Sequence, residues 1–130
     1  MEGATAASPE SPSSAPPFLL RPVLFEPNSA RLTQGHRKLL RRSAVWLRQQ
    51  PQSRVLIVGF CDSESELCTH QLAMRRAAVV DRMLSVYGLA KTQVTAVKAW
   101  ERFPSSCEAP SERCRRLNRS ARIFLASSKP

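Results

Sequence analysis

A short run of aliphatic residues that stops at a glycine, followed by an acid and then a helical pattern, constrains this chain more than any other feature. Val55, Leu56, Ile57 and Val58 end at Gly59, as a buried strand rich in β-branched residues does. Asp62 follows directly. Thr69, Leu72 and Arg76 then fall at i, i+3 and i+7, so they share one face of a helix. A carboxylate at a strand end opposite a guanidinium on the next helix can hold an ammonium and a carboxylate. Those are the two ends of a zwitterionic amino acid.

The remaining elements follow from periodicity and from helix and turn punctuation. Met1 to about Pro17 is mostly Ser, Pro and Ala with almost no bulky apolar side chain. Such a segment cannot offset its ordering entropy, so residues 1–18 are expected to be a disordered linker and residues 19–128 the folded domain. A first strand is expected over Arg21–Phe25, with Glu26-Pro27-Asn28-Ser29 as a turn. A helix follows over Gln34–Gln49, with Leu40, Ala44 and Leu47 as its apolar stripe and Arg37, Lys38, Arg41, Arg42 and Arg48 toward solvent. Pro51 stops it. The second strand spans Arg54–Phe60. The second helix spans Thr69–Tyr87, burying Leu72, Val79, Val80, Met83 and Leu84, with Gly88 at its C-terminal cap. A third strand over Val94–Trp100, a long loop with a short helix near Ser111–Leu117, and a last strand over Ala121–Leu125 complete the chain. Strands and helices in this order imply helices packed on one sheet, an α/β (α+β) fold.

The motifs resemble the OmpA-like peptidoglycan-binding domain family. Gly59-Phe60-Cys61-Asp62 stands where the family has Gly-His-Thr-Asp. Thr69 to Ala77 stands where it has Asn-x-x-Leu-Ser-x-x-Arg-Ala, after a loop one residue shorter than usual. Phe25-Glu26-Pro27-Asn28-Ser29 is similar to the family's Phe-Asp-x-Asn-Ser turn. Asn118 to Ile123 is similar to its Asn-Arg-Arg-Val-x-Ile signature. The resemblance covers about Arg21 to Ala126. It implies a β-α-β-α-β-β two-layer sandwich with helices packed on a mixed four-stranded sheet.

It also implies a ligand, peptidoglycan, bound through the diaminopimelate of its stem peptide. Asp62 would take the ammonium and Arg76 the carboxylate. Asn28 and Arg119 match polar residues of the same cleft, Leu72 would form its wall, and Thr69 stands at the family's asparagine. Each residue also has a purely structural reading. Asp62 and Arg76 can pair with one another, Asp62 can cap the helix, Asn28 can serve only the turn, and Arg119 can belong to the basic surface. Ser63 with Glu66 can form a capping box that starts the helix before Thr69. The chain departs from the family's polar lining at Phe60, Cys61, Ser65, Thr69, Ala73 and Ser120.

Charge and cysteine content bound the alternatives. A formal net charge of +10 over 130 residues favours polyanionic surroundings: nucleic acid, anionic lipid or an anionic wall polymer. Nucleic acid is disfavoured, because no helix-turn-helix, zinc-finger or RNP motif is present and aromatic stacking platforms are few. No apolar run reaches the roughly 20 residues that cross a bilayer. The first residues lack the basic and apolar regions of a signal peptide, which conflicts with the periplasmic, envelope-associated location implied by the resemblance. Cys61/Cys68 and Cys107/Cys114 are each separated by six residues, a spacing wider than zinc sites use. Two local disulfides in an oxidising compartment fit better, with free buried cysteines as the alternative. No metal or cofactor is expected. With two histidines and no nucleophile beside a base, neither is catalysis. The functional expectation is a non-catalytic wall-binding module that anchors a partner or membrane. The alternatives are an envelope protein–protein adaptor on the same fold and, behind it, a basic nucleic-acid-binding protein.

Overall fold

The computed structural model describes residues 15–100 and 111–126. Seven regular elements follow one another: β1 (Val23–Leu24), α1 (Gln34–Arg48), β2 (Arg54–Gly59), α2 (His70–Val86), β3 (Val94–Ala99), α3 (Glu112–Asn118) and β4 (Ser120–Ala126). The strands form one sheet in the order β1-β4-β2-β3. β4 runs antiparallel to both β1 and β2, while β3 runs parallel to β2. A parallel pair needs a crossover, and α2 supplies it. The expected arrangement of helices on a mixed four-stranded sheet is the one found, with α3 as a third helix just before β4.

The core lies between the sheet and α1 and α2. Val55 and Ile57 of the central strand meet Leu40, Ala44 and Leu47 of α1 and Ala77, Val80 and Leu84 of α2 in one buried cluster. The α1 stripe is the one its periodicity predicts. On α2, Leu72, Val80 and Leu84 are buried as expected, whereas Val79 and Met83 are only partly buried and pack at the margin. Ala15 and Phe18, on the linker side of the expected boundary, pack against the core. Leu19, in a 3-10 turn over Pro17–Leu20, is 1% exposed within it. Residues 1–14 lie outside the described residues.

Three local devices fix the ends of α1 and α2. Thr33 caps α1 by accepting a hydrogen bond from the His36 N–H at 3.1 Å, and His36 Nδ1 accepts from the Thr33 N–H at 3.0 Å. This is a capping box with histidine in the role usually taken by Glu or Gln. At the other end of α1, buried Gln93 donates through Nε2 to the carbonyls of Leu47, Gln50 and Ser53, adding a side-chain donor where the helix runs out of its own N–H groups. Thr69, not the Ser63/Glu66 pair, caps α2: its Oγ1 accepts from the Leu72 N–H at 3.0 Å.

β2 and α2 approach closely where the site begins. A Cβ on Gly59 would collide with the Ala73 carbonyl oxygen and lie 2.8 Å from its carbonyl carbon and 3.0 Å from the Ala77 nitrogen. Ala73 and Ala77, one turn apart and fully buried, present the small side chains that permit this approach. The loop from Phe60 to Thr69 is thereby held over the N-terminal end of α2.

Candidate functional site

The Asp62 loop is built around one carboxylate, and it is not that of Asp62. The Cys61–Cys68 disulfide, expected from the cysteine spacing, closes the loop with its Cα atoms 5.3 Å apart. Inside it, Glu66 turns inward onto Arg76. The Arg76 Nη1 and Nη2 donate to Glu66 Oε2 at 2.7 Å and Oε1 at 2.6 Å, with both side chains wholly buried. The backbone N–H groups of Asn28 and Asp62 donate to the same two oxygens, each at 2.8 Å. Asn28 presents its N–H from a left-handed turn, φ 58°, a conformation that asparagine adopts more readily than most residues. Burial pushes the Glu66 carboxyl up, but Arg76 and the two backbone donors outweigh it and hold the group below the ordinary glutamate value.

Arg76 has no donor left over. Its Nε donates to the Ser29 carbonyl at 2.8 Å, Nη1 also to Phe60 at 3.0 Å, and Nη2 also to Glu26 at 3.2 Å. With the two bonds to Glu66, all five guanidinium N–H groups are matched. The Phe25 ring lies 5.2 Å from the guanidinium carbon, covering the cation with a π face. Arg76 thus ties the turn after β1, the end of β2 and the disulfide loop to α2. Its partner is Glu66, not the Asp62 considered from sequence.

Asp62 belongs to a neighbouring network and is 4% exposed. Its Oδ1 accepts from Asn118 Nδ2 at 3.0 Å, and its Oδ2 accepts from the Ser65 N–H at 2.8 Å and Oγ at 2.7 Å. It therefore shapes its own loop and does not cap α2. Burial pushes its carboxyl up, but the bonds from Asn118 and Ser65 prevail, so its pKa lies below the ordinary aspartate value. Arg119 completes this network, and at 4% exposure it is not part of the basic surface. It donates to Ser65 Oγ at 2.7 Å and to the Phe25 carbonyl at 3.0 Å, and it pairs with Glu112 of α3 at 3.5 Å.

The three other predicted site residues line an open cleft. Asn28, Thr69 and Leu72, together with Leu67, Gln71 and Arg75, surround a hollow of about 250 Å³ at the start of α2. Asn28 Oδ1 accepts from the Leu67 N–H at 2.9 Å, which joins the cleft rim to the Glu66 loop. Leu72 is 6% exposed and packs with Cys61, Ala73 and Ala99 in a small cluster beneath the cleft. The exposed guanidinium here is Arg75, because its neighbour Arg76 faces inward. The six residues read from sequence therefore divide into a closed polar network (Asp62, Arg76, Arg119) and an open cleft (Asn28, Thr69, Leu72). Glu66 and Arg75 were not singled out as site residues. The α2 periodicity holds a signal for Arg75, but nothing local separates Glu66 from Glu64.

Cys114 is disulfide-bonded, while Cys107, its expected partner, lies outside the described residues. A larger hollow of about 600 Å³ lies along the outer side of α1, between Phe18, Lys38, Arg41, Arg42, Val45, Trp46 and Gln49. None of the predicted site residues lines it.

A family model described as the OmpA family matches residues 24–116. The match runs from β1 to α3 and includes the Asp62 loop and all of α2. The chain belongs to the OmpA family. Solved structures with this fold include the peptidoglycan-associated lipoprotein from Burkholderia pseudomallei. It is 24% identical over 92% of this chain and 100% of that one, with a TM-score of 0.75. The C-terminal domain of Helicobacter pylori MotB is 23% identical over 82% of this chain and 84% of that one, with a TM-score of 0.72. A MotB-like protein from Desulfovibrio vulgaris is 18% identical over 83% and 70%, with a TM-score of 0.67. No curated protein sequence matches the chain. Among the described residues of this OmpA-family domain, no helix is long and apolar enough to cross a membrane.

Proposed function

We propose that this domain is a non-catalytic module of the periplasm that binds peptidoglycan and anchors a partner or membrane to it. The observation that carries the reading is the cleft at the start of α2, which gathers Asn28, Thr69, Leu72 and Arg75 around one opening. Membership of the OmpA family supports it, as does the fold shared with a protein named for its association with peptidoglycan. The lining suits binding: amides and a hydroxyl to hydrogen-bond a peptide, a leucine wall, and a guanidinium able to take a carboxylate through two parallel bonds. No lining side chain is a base that would take a proton from the Thr69 hydroxyl.

The finer reading concerns the ligand. A diaminopimelate stem peptide presents carboxylates and ammonium groups, and Arg75 is the exposed cation on the cleft that would meet such a carboxylate. Asp62, Arg76 and Arg119 then hold the loop that forms one wall, with Asp62 and Arg76 available to the ligand only after their internal partners withdraw. Co-sedimentation with purified insoluble peptidoglycan tests this. Arg75→Gln should weaken retention by roughly 1.5–3 kcal/mol, the worth of a hydrogen bond to a charged group. Arg37→Gln, an equal loss of charge on the outside of α1, should change it little. Equal losses in the two variants would reduce the interaction to nonspecific attraction of a basic protein to an anionic polymer.

An envelope adaptor is the second reading. The hollow on α1 favours it, since its floor of Phe18, Val45 and Trp46 and its rim of Lys38, Arg41 and Arg42 fit an acidic amphipathic segment. Absence of wall sedimentation altogether would leave that reading in place.

A further inference from the structure

The Glu66 carboxylate has the surroundings of a bound ligand. Four donors converge on its two oxygens, two from one guanidinium fork and two from backbone N–H groups of separate segments, all between 2.6 and 2.8 Å. Three of the four donors are also held by features that do not involve Glu66. Arg76 is fixed by three carbonyls and the Phe25 ring, and Asn28 sits in a left-handed turn. The fourth, the Asp62 N–H, belongs to a residue whose side chain is held by Asn118 and Ser65. The carboxylate itself arrives on a loop, tethered by a disulfide between Cys61 and Cys68 that keeps its local concentration high. The cradle adjoins the cleft through Asn28, whose N–H faces Glu66 and whose side-chain oxygen holds Leu67 on the cleft rim.

We infer that Glu66 is a built-in plug: a tethered carboxylate that occupies a preformed carboxylate site around Arg76 and excludes external carboxylates from it. The site takes the carboxylate of a small acid or of a peptide once Glu66 is withdrawn. The inference rests on the wall-binding reading only for the identity of the natural ligand. The receptor chemistry is fixed by the four donors alone.

Glu66→Ala provides a direct test, because it removes a CH₂–COO⁻ fragment, which acetate replaces nearly atom for atom. At pH 7 the variant should melt at least about 10 °C below the parent, its buried guanidinium lacking a counter-charge. Acetate at about 100 mM should restore half of that loss or more relative to chloride at equal ionic strength. The parent protein, its cradle already filled, should shift by about 1 °C or less in the same buffers. Glu66→Gln, which fills the space with a neutral amide, should not respond to acetate. If Glu66→Ala does not fold alone, refolding with acetate in the buffer is the readout. Recovery only with carboxylate supports the plug, and failure with formate, acetate and propionate alike overturns it. Equal stabilisation of parent and variant by acetate would also overturn it.

Wall sedimentation of Glu66→Ala separates the two readings. Acetate rescue without any wall binding upholds the plug and rejects peptidoglycan as the ligand. Wall binding without rescue rejects the plug and leaves the wall reading standing.

Discussion

Gly59→Ala should be far more damaging than the addition of one methyl group suggests. The new Cβ would collide with the Ala73 carbonyl oxygen and stand 2.8 Å from Ala73 C and 3.0 Å from Ala77 N. These are backbone atoms of α2, so no rotamer change relieves the contact. The helix must retreat from β2 by on the order of 1 Å, loosening the packing of Ala73, Ala77 and Val80, all fully buried. Overpacking of this kind costs about 1–3 kcal/mol, and an obstruction made of backbone belongs at or above the top of that range. For a domain of this size, about 3 kcal/mol corresponds to a fall in Tm on the order of 10–20 °C. Urea denaturation followed by circular dichroism measures it, with an unchanged slope identifying a native-state effect. Because α2 and its capping residue Thr69 carry the cleft side chains Thr69, Leu72 and Arg75, the surviving folded fraction should also bind wall less well. A variant within about 0.5 kcal/mol of the parent, the range of an ordinary surface substitution, would refute the close-approach argument and with it the account of how the loop is held over α2.

Three further outcomes are expected. Stability should fall in acid: the Asp62 and Glu66 carboxyls are held below their ordinary values, so their contribution is full above the normal carboxylate range, about pH 4, and is lost as pH drops through the lower folded values. Urea midpoints from pH 7 to 2 should show this decline, and a Glu66→Gln variant should show a shallower one. Replacing both Cys61 and Cys68 by Ala should cost about 2–3 kcal/mol, the loop-closure value for so short a loop. An unchanged midpoint would mean the loop is held by the Glu66–Arg76 cradle alone. Removing residues 1–14 should leave the melting temperature unchanged, whereas Leu19→Ala should destabilise by about 2–5 kcal/mol. The reverse result would misplace the domain boundary.

The regular elements were legible because their signals are local. The Val55–Val58 run, the Leu40, Ala44 and Leu47 stripe and the position of Gly88 each depend on a few neighbouring residues, and the observed helix ends lie within a residue of those expected. Gly88 indeed adopts φ 96° beyond the end of α2. The mixed four-stranded sheet came from family resemblance, and its strand order, β1-β4-β2-β3, only from the structure, since periodicity does not say which strands pair. Leu19 was harder to place, because it adjoins a Ser/Pro/Ala segment whose composition reads as linker although the 3-10 turn after it inserts into the core.

The site was legible in its location more than in its wiring. Asp62, Arg76, Asn28, Thr69, Leu72 and Arg119 do lie around the start of α2, as the motif spacing implied. Which acid meets Arg76 is a different kind of question. Asp62, Glu64 and Glu66 are alternating acids in one loop, and the choice among them depends on the path the Cys61–Cys68 bridge imposes. The inward turn of Arg76 and outward turn of Arg75 follow from helix phase. A fully buried arginine with five matched donors, however, emerges only when three separate carbonyls are brought to it.

The central claim, that the cleft at the start of α2 receives the wall peptide, is tested most directly by NMR. A ¹⁵N-labelled sample would be titrated with a soluble muropeptide carrying a diaminopimelate stem. The account predicts saturable shifts confined to the amides of Asn28, Leu67, Thr69, Gln71, Leu72 and Arg75 and their immediate neighbours, persisting at 0.15 M salt, where charge attraction beyond roughly 8 Å is largely screened. Shifts confined to Lys38, Arg41, Arg42 and Trp46 on α1, or no saturable shift at all, would contradict it.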